Sequence, residues 1–196
     1  DPKAFFLETP AGRRFCIFHP AAAQRRGALL HAPALGEEMN RCRPAVAAAA
    51  RHFAAHGFDV LLIDLFGSGD SAGEFGEATW AHWLDDLACG VRWLRGPHDR
   101  PPHPAVGDVQ EEVRLWLWGL RAGCLLACAL QSRLEQPVPM LWWQAIPTGE
   151  LQVQQWLRQG LAGAMVSGAA EQPAPVAAQL RNAFEAGSTL EIGGYA

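Results

Sequence analysis

This chain has no positive charge to spare. Its 196 residues carry 16 Lys+Arg against 20 Asp+Glu, a net charge of −4. The basic residues are mostly arginine and are scattered. No clustered basic face is present to neutralise phosphates, which argues against a nucleic-acid partner. Long apolar runs are also missing. None approaches the roughly 18–20 residues of a membrane span, and the N-terminus has no basic-then-apolar leader. The five cysteines, Cys16, Cys42, Cys89, Cys124 and Cys128, are odd in number and form no C-x-x-C. They support neither a disulfide framework nor a zinc knuckle. Cys124 and Cys128, four apart on one helix face, read as small packing residues. His98 and His103 flank prolines and lack partner spacing, so no metal site is expected. These absences predict a cytoplasmic protein without a metal or a membrane span. What the chain does have is apolar bulk: eight Trp, nine Phe and 49% apolar residues. That suffices for one buried core, in one domain or one domain with a small appendage.

The pattern along the chain predicts an alternation of strands and helices. Ala4 to Thr9 and Arg13 to His19 are short extended runs around the turn Pro10-Ala11-Gly12, which predicts an opening hairpin. Gly27 to His31 is a third strand. Leu35 to Asn40 is polar and contains glycine, so it reads as a loop. Pro44 to His56 is Ala-rich and reads as a helix stopped by Gly57. Phe58 to Ile63 has no alternation and reads as a strand buried on both faces. A Gly-rich loop follows from Asp64 to Gly76. Trp80, Trp83, Leu84, Leu87, Val91 and Leu94 then recur at helical spacing. Gly96 to Gly107 reads as a surface connection. Val113 to Trp118 predicts a buried strand, Arg121 to Leu134 a helix, and Val138 to Trp143 a further strand. Leu151 to Met165 and Val176 to Ala186 look like amphipathic helices, and Thr189 to Ile192 like a short strand. A hairpin followed by β-α repeats predicts an α/β fold, with a mostly parallel sheet and helices on both faces. Its site should lie beyond the carboxyl ends of the strands, where Ala32–Asn40, Asp64–Glu77, Gly119–Gly123 and Gln144–Gly149 converge.

One pentapeptide carries most of the functional information. Gly119-Leu120-Arg121-Ala122-Gly123 stands between a strand and a helix, in the frame of a nucleophile elbow, G-x-S-x-G. Leu29-Leu30-His31 with the loop after it resembles the strand leading into the oxyanion loop of α/β-hydrolases. Asp64-Leu65-Phe66-Gly67-Ser68-Gly69-Asp70-Ser71 resembles their D-x-x-G-x-G-x-S loop. Within that superfamily, Gly36-Glu37-Glu38-Met39-Asn40, Trp118-Gly119-Leu120-Arg121 and Trp142-Trp143-Gln144 resemble the exosortase A system-associated hydrolases, type 2. The resemblance covers nearly the whole chain. It implies an α/β-hydrolase core at 1–149 and a lid-like or interface helical segment at 150–196. It also implies a setting in bacterial exopolysaccharide production and protein sorting, but no substrate. Two features depart from the superfamily: the elbow residue is Arg121 rather than serine, and no histidine occurs beyond His103. None of the seven histidines can fill the usual Ser…Asp…His order.

Arginine stays protonated and offers only donors, so Arg121 cannot attack a carbonyl. At a helix N-terminus, free amides and the helix dipole favour an anion. A guanidinium added there suits a carboxylate or phosphate held in a bidentate fork. Two roles are open to it: binding an anionic group of a ligand, or internal neutralisation by Glu37 or Glu38. The anion or ligand-binding candidates are therefore Arg121, Glu37, Glu38, Asp64 and Gln144. Asp64 and Ser71 are expected to hold their loop by side-chain to backbone bonds. Gly67-Ser68-Gly69-Asp70-Ser71-Ala72 also fits G-x-G-x-x-A, but it does not sit at the first β-α turn, so no dinucleotide cofactor is expected. His31 reads as structural. Ser68, Ser71 or Cys124 would each need a base within reach to act as a displaced nucleophile. The apolar stripe Leu151, Trp156, Leu157, Leu161 and Met165 could cover the crevice or form a homodimer, as could an open sheet edge. Two functions follow. One is a catalytically silent, hydrolase-like protein that holds a small anion or a partner at Arg121. The alternative is a hydrolase acting on an ester or acyl group through non-standard machinery.

Overall fold

A computed structural model describes residues 1–22, 24–96, 114–166, 178, 181–183 and 185–187. The chain divides into two compact units, Asp1–Ala145 and Ile146–Ala196.

The first unit is built on one sheet of six strands: β1 (Lys3–Thr9), β2 (Gly12–His19), β3 (Gly27–Ala32), β4 (Phe58–Ile63), β5 (Leu115–Leu120) and β6 (Met140–Trp143). Their spatial order is β1-β2-β4-β3-β5-β6. β1 and β2 form the opening hairpin, and β2 meets β4 antiparallel. The remaining pairs, β4–β3, β3–β5 and β5–β6, are all parallel. Helix α1 (Glu37–Ala55) connects β3 to β4, and α2 (Trp80–Arg95) follows β4. The route from β3 to β4 and the return past β3 to β5 run in opposite directions. Right-handed crossovers therefore place α1 and α2 on opposite faces. Alternation along β3 shows it: Leu29 packs in one cluster with Val46 and Ala50 of α1, and with Val60 and Trp118. On the other face, a Cβ at Gly90 of α2 would come 2.8 Å from Leu30. Every residue of β3 is buried, which is why the strand shows no apolar–polar alternation. Helix α3 (Gly123–Gln131) follows β5.

Two boundaries differ from those the sequence implied. Leu35–Asn40 is not all loop: α1 begins at Glu37 and carries Pro44 inside it. An internal proline loses one backbone bond and crowds the preceding turn, at a cost of about 3 kcal/mol. Burial of Met39, Val46, Ala50 and Ala54 along one face opposes that cost. Glu37 and Glu38 in the first turn add a favourable charge at the positive helix end. The second difference is at the elbow. β5 runs through Gly119 to Leu120, pairing Ala32 with Gly119 and Leu120 with Trp143. Sheet pairing on both sides keeps this glycine in the strand, and α3 starts only at Gly123.

A buried ion pair fastens the hairpin to the rest of the unit, and the sequence pattern did not single it out. Arg14 Nε lies 2.7 Å from Asp86 Oδ1, with side-chain exposures of 0% and 1%. The Phe66 amide donates to the other Asp86 oxygen at 2.7 Å, and the Arg14 guanidinium lies over the Phe66 ring. Burial pushes the Asp86 pKa upward against the opposing pull of Arg14.

In the second unit, Gly149–Val166 forms helix α4. The connection expected at Gly96–Gly107, the helix at Val176–Ala186 and the strand at Thr189–Ile192 fall wholly or largely outside the described residues. Among the described residues, no helix is long and apolar enough to cross a membrane.

Candidate functional site: an elbow without its serine

The turn from β5 into α3 is a sharp elbow, and its two glycines are required by contact. A Cβ at Gly119 would come 2.6 Å from the Cys124 Cα. A Cβ at Gly123 would collide with the Ala32 carbonyl and come 2.5 Å from the Pro33 carbonyl oxygen. Between them, Arg121 adopts a left-handed backbone with φ 55°. Such a conformation costs a non-glycine residue about 1 kcal/mol or more. It persists because both sides hold it: the Arg121 amide donates to the Trp143 carbonyl at 3.0 Å, and its own carbonyl accepts from the Cys124 amide at 3.1 Å. The N-cap residue of α3, Ala122, has no polar side chain to cap it. Cys124 is the first amide in its bonded turn, so the Ala122 and Gly123 amides precede the ladder.

The acid opposite Arg121 is Glu38. Arg121 Nη2 donates to Glu38 Oε1 at 3.0 Å, and Nε lies 3.3 and 3.4 Å from the two carboxylate oxygens. The pair is part-exposed, at 25% and 19%. It joins the N-terminal turn of α1 to the elbow. Glu37 turns elsewhere and pairs with Arg41 at 3.2 Å on the exposed side of α1. Asp64, at the end of β4, pairs with Arg43 at 2.9 Å. Its side chain therefore makes an ion pair rather than the loop bond expected of it. Ser71 does the loop work, donating to the Asp64 carbonyl at 2.6 Å and accepting from the Phe15 amide at 2.9 Å. Gln144 is exposed, also left-handed at φ 50°, and follows the Trp143 carbonyl that holds the elbow amide. The elbow thus brings Arg121 and Glu38 into contact, with Gln144 one residue from its anchor. Glu37 and Asp64 belong to neighbouring pairs.

Other chemistry near the elbow is quiet. His31 is buried, donates from Nδ1 to the Trp118 carbonyl at 3.0 Å and lies 4.3 Å from the Trp118 ring. Burial lowers its pKa to about 4, so the ring is neutral at neutral pH. Cys124 is buried, and burial raises its thiol pKa, which keeps it protonated. Among the described residues, neither Ser68 nor Ser71 hydrogen-bonds a histidine. No group of three or more metal-binding side chains is found among the described residues. His98 and His103 lie outside them.

The fold is that of the α/β-hydrolases. Many solved structures match it. An α/β hydrolase from Penicillium aligns over 98% of this chain and 69% of its own, with TM-score 0.60 and 18% identity. A serine hydrolase from Xanthomonas campestris described as lacking a lid gives TM-score 0.51 and 21% identity, over 72% of this chain and 70% of its own. Est1E from Butyrivibrio proteoclasticus, solved with ferulic acid bound, gives TM-score 0.52 and 14% identity over 69% of this chain. This chain spans only 49% of the Est1E length. No protein-family model matches the chain, and no curated protein does.

Proposed function

We propose that this protein is a non-catalytic relative of the α/β-hydrolases whose elbow holds an anion where an enzyme would hold its nucleophile. The carrying observation is Arg121 at φ 55°, at the start of α3, in a fork on Glu38. The elbow backbone is retained with its strain, while the side chain it presents is a cation. A ligand carboxylate or phosphate takes the place of Glu38 and gains the amides of the first α3 turn. A partly exposed pair exchanges in this way because little desolvation is at stake. Of the other candidates, Gln144 stands nearest in the chain to the elbow's anchor at Trp143, while Glu37 and Asp64 stay in their own ion pairs. The motif resemblance supports a setting in bacterial exopolysaccharide and protein-sorting systems. All five cysteines are free, which suits a reducing, cytoplasmic setting. We assign residues 1–149 to the hydrolase-like core and 150–196 to an interface segment through which two copies associate. Leu151→Glu would then lower the mass seen by light scattering.

The test of anion binding uses benzoate and ferulate as acids, followed by nitrogen-detected chemical shifts of the arginine side chains. Binding should shift the Arg121 signal, and Arg121→Ala should abolish the response. The competing reading is an ester or acyl hydrolase with non-standard machinery. It predicts fluorophosphonate labelling of a serine in the unmodified protein, and such labelling would replace our reading with that one. Arg121→Ser should gain no p-nitrophenyl acetate cleavage, because among the described residues no histidine hydrogen-bonds the elbow residue and His31 is committed to the Trp118 carbonyl.

A further inference from the structure

A cavity of about 180 Å³ opens between α1 and the sheet, beside the elbow. Ile17, Leu62 and Leu120 line it from three strands, and Met39 and Val46 from α1. Arg121 does not line it, although its neighbour Leu120 does. The elbow thus sends consecutive side chains to two separate places.

The polar groups in the cavity wall select what fits. His31 lines it, and its Nδ1 hydrogen is committed to the Trp118 carbonyl. That fixes the tautomer and leaves Nε2 as a lone-pair acceptor. The buried ring stays neutral at physiological pH, so this acceptor is not lost to a proton. Arg43 and Asp64 also line the cavity, but they are paired with each other at 2.9 Å. The remaining wall is apolar, apart from the Cys42 thiol. An anionic ligand would meet Asp64 and the imidazole lone pair with no unpaired cation to receive it. A pure hydrocarbon would leave the His31 acceptor without a donor, at a cost of about 1–3 kcal/mol. A neutral apolar molecule with one hydroxyl satisfies both constraints. Size narrows the class: an apolar cavity of about 150 Å³ holds benzene. The space here therefore takes one ring and a substituent.

We infer that this cavity is a binding site for a small neutral aromatic alcohol of phenol size, its hydroxyl donating to His31 Nε2. The site is independent of anion binding at Arg121, because no residue of the Arg121–Glu38 pair lines it.

Phenol, toluene and benzoate are titrated into the full chain at neutral pH by calorimetry and by amide chemical shifts. Phenol should bind about tenfold more tightly than toluene, the value of one buried hydrogen bond, and benzoate should not shift the cavity residues. His31→Phe keeps a ring against Trp118 and should bring the phenol preference below about twofold. Ala47→Phe, from a half-buried position of α1 that lines the cavity, should fill it and abolish binding of both neutral ligands. Phenol should also slow alkylation of Cys42 in peptide-mapped mass spectra, and Ala47→Phe should remove that protection. The inference is overturned by no phenol binding up to its solubility, or by equal affinity for phenol and toluene. Phenol binding that survives Ala47→Phe overturns it as well, even where His31→Phe fails to fold.

Discussion

Two arginine–carboxylate pairs in this molecule have similar chemistry and opposite consequences. Arg14–Asp86 is sealed, at 0% and 1% exposure, between the hairpin and α2. Arg121–Glu38 is open, at 25% and 19% exposure, at the crevice end of the sheet. The sealed pair has no room for a substitute partner. Removing either side leaves an uncompensated charge in the core. The open pair is reachable by water, and in the function proposed above its carboxylate gives way to a ligand. Burial rather than residue type separates the sealed clamp from the pair proposed to bind.

Breaking the sealed pair should have the largest effect. Asp86→Ala should destabilise the protein by about 3–5 kcal/mol, measured by urea unfolding. A loss below about 1 kcal/mol would put the two pairs in one class.

The next effect concerns pH. The folded pKa of His31 is depressed to about 4 from an ordinary 6.5. The unfolded chain therefore binds the proton first as pH falls. The stability this group contributes is present above pH 6.5 and is lost progressively between 6.5 and about 4. A shift of that size corresponds to about 3 kcal/mol. His31→Phe should flatten this part of the unfolding profile. His19, whose pKa burial also lowers, should leave a residual slope. An unchanged profile in the variant would show that His31 is not the titrating group.

At the open pair, stability and binding should part company. Arg121→Gly relieves the left-handed strain and loses an exposed pair, so its stability should stay within about 1 kcal/mol of the parent. Its response to benzoate should vanish. The smallest effect belongs to Glu38→Gln, which should change stability by about 0–1 kcal/mol. It should tighten benzoate binding, because the internal competitor is neutralised. Weaker binding in Glu38→Gln would mean that Glu38 orients Arg121 for the ligand rather than competing with it.

Much of the fold could be read from residue pattern. The hairpin, the buried run Phe58–Ile63 and the helical spacing from Trp80 to Leu94 each carry strong local signals, and each element formed where they stand. Pro44 misled because a proline reads as a helix start, while the helix is held by a buried face extending back to Met39. Gly119 misled because a glycine reads as a break, while pairing with β3 and β6 carries the strand through it. At the site, the elbow frame and a nearby Glu37/Glu38 acid could be read, but which glutamate faces Arg121 could not. Successive helical residues point about 100° apart, and only the docking of α1 decides which one meets the elbow. Asp64 was a site candidate by position, and Arg43, its partner from α1, was invisible for the same reason.

By itself, then, the sequence determined the order of strands and helices, the two elbow glycines and the absence of a nucleophile between them. Those properties follow from local periodicity and from what an arginine side chain can chemically do. Tertiary structure alone decided that Arg14 is buried and Arg121 part-exposed, that Glu38 rather than Glu37 completes the fork, and that His31 lines a cavity with its Nδ1 bonded to the Trp118 carbonyl. Solvent exposure and partner identity arise from contacts between segments far apart in the chain, and no local pattern encodes them.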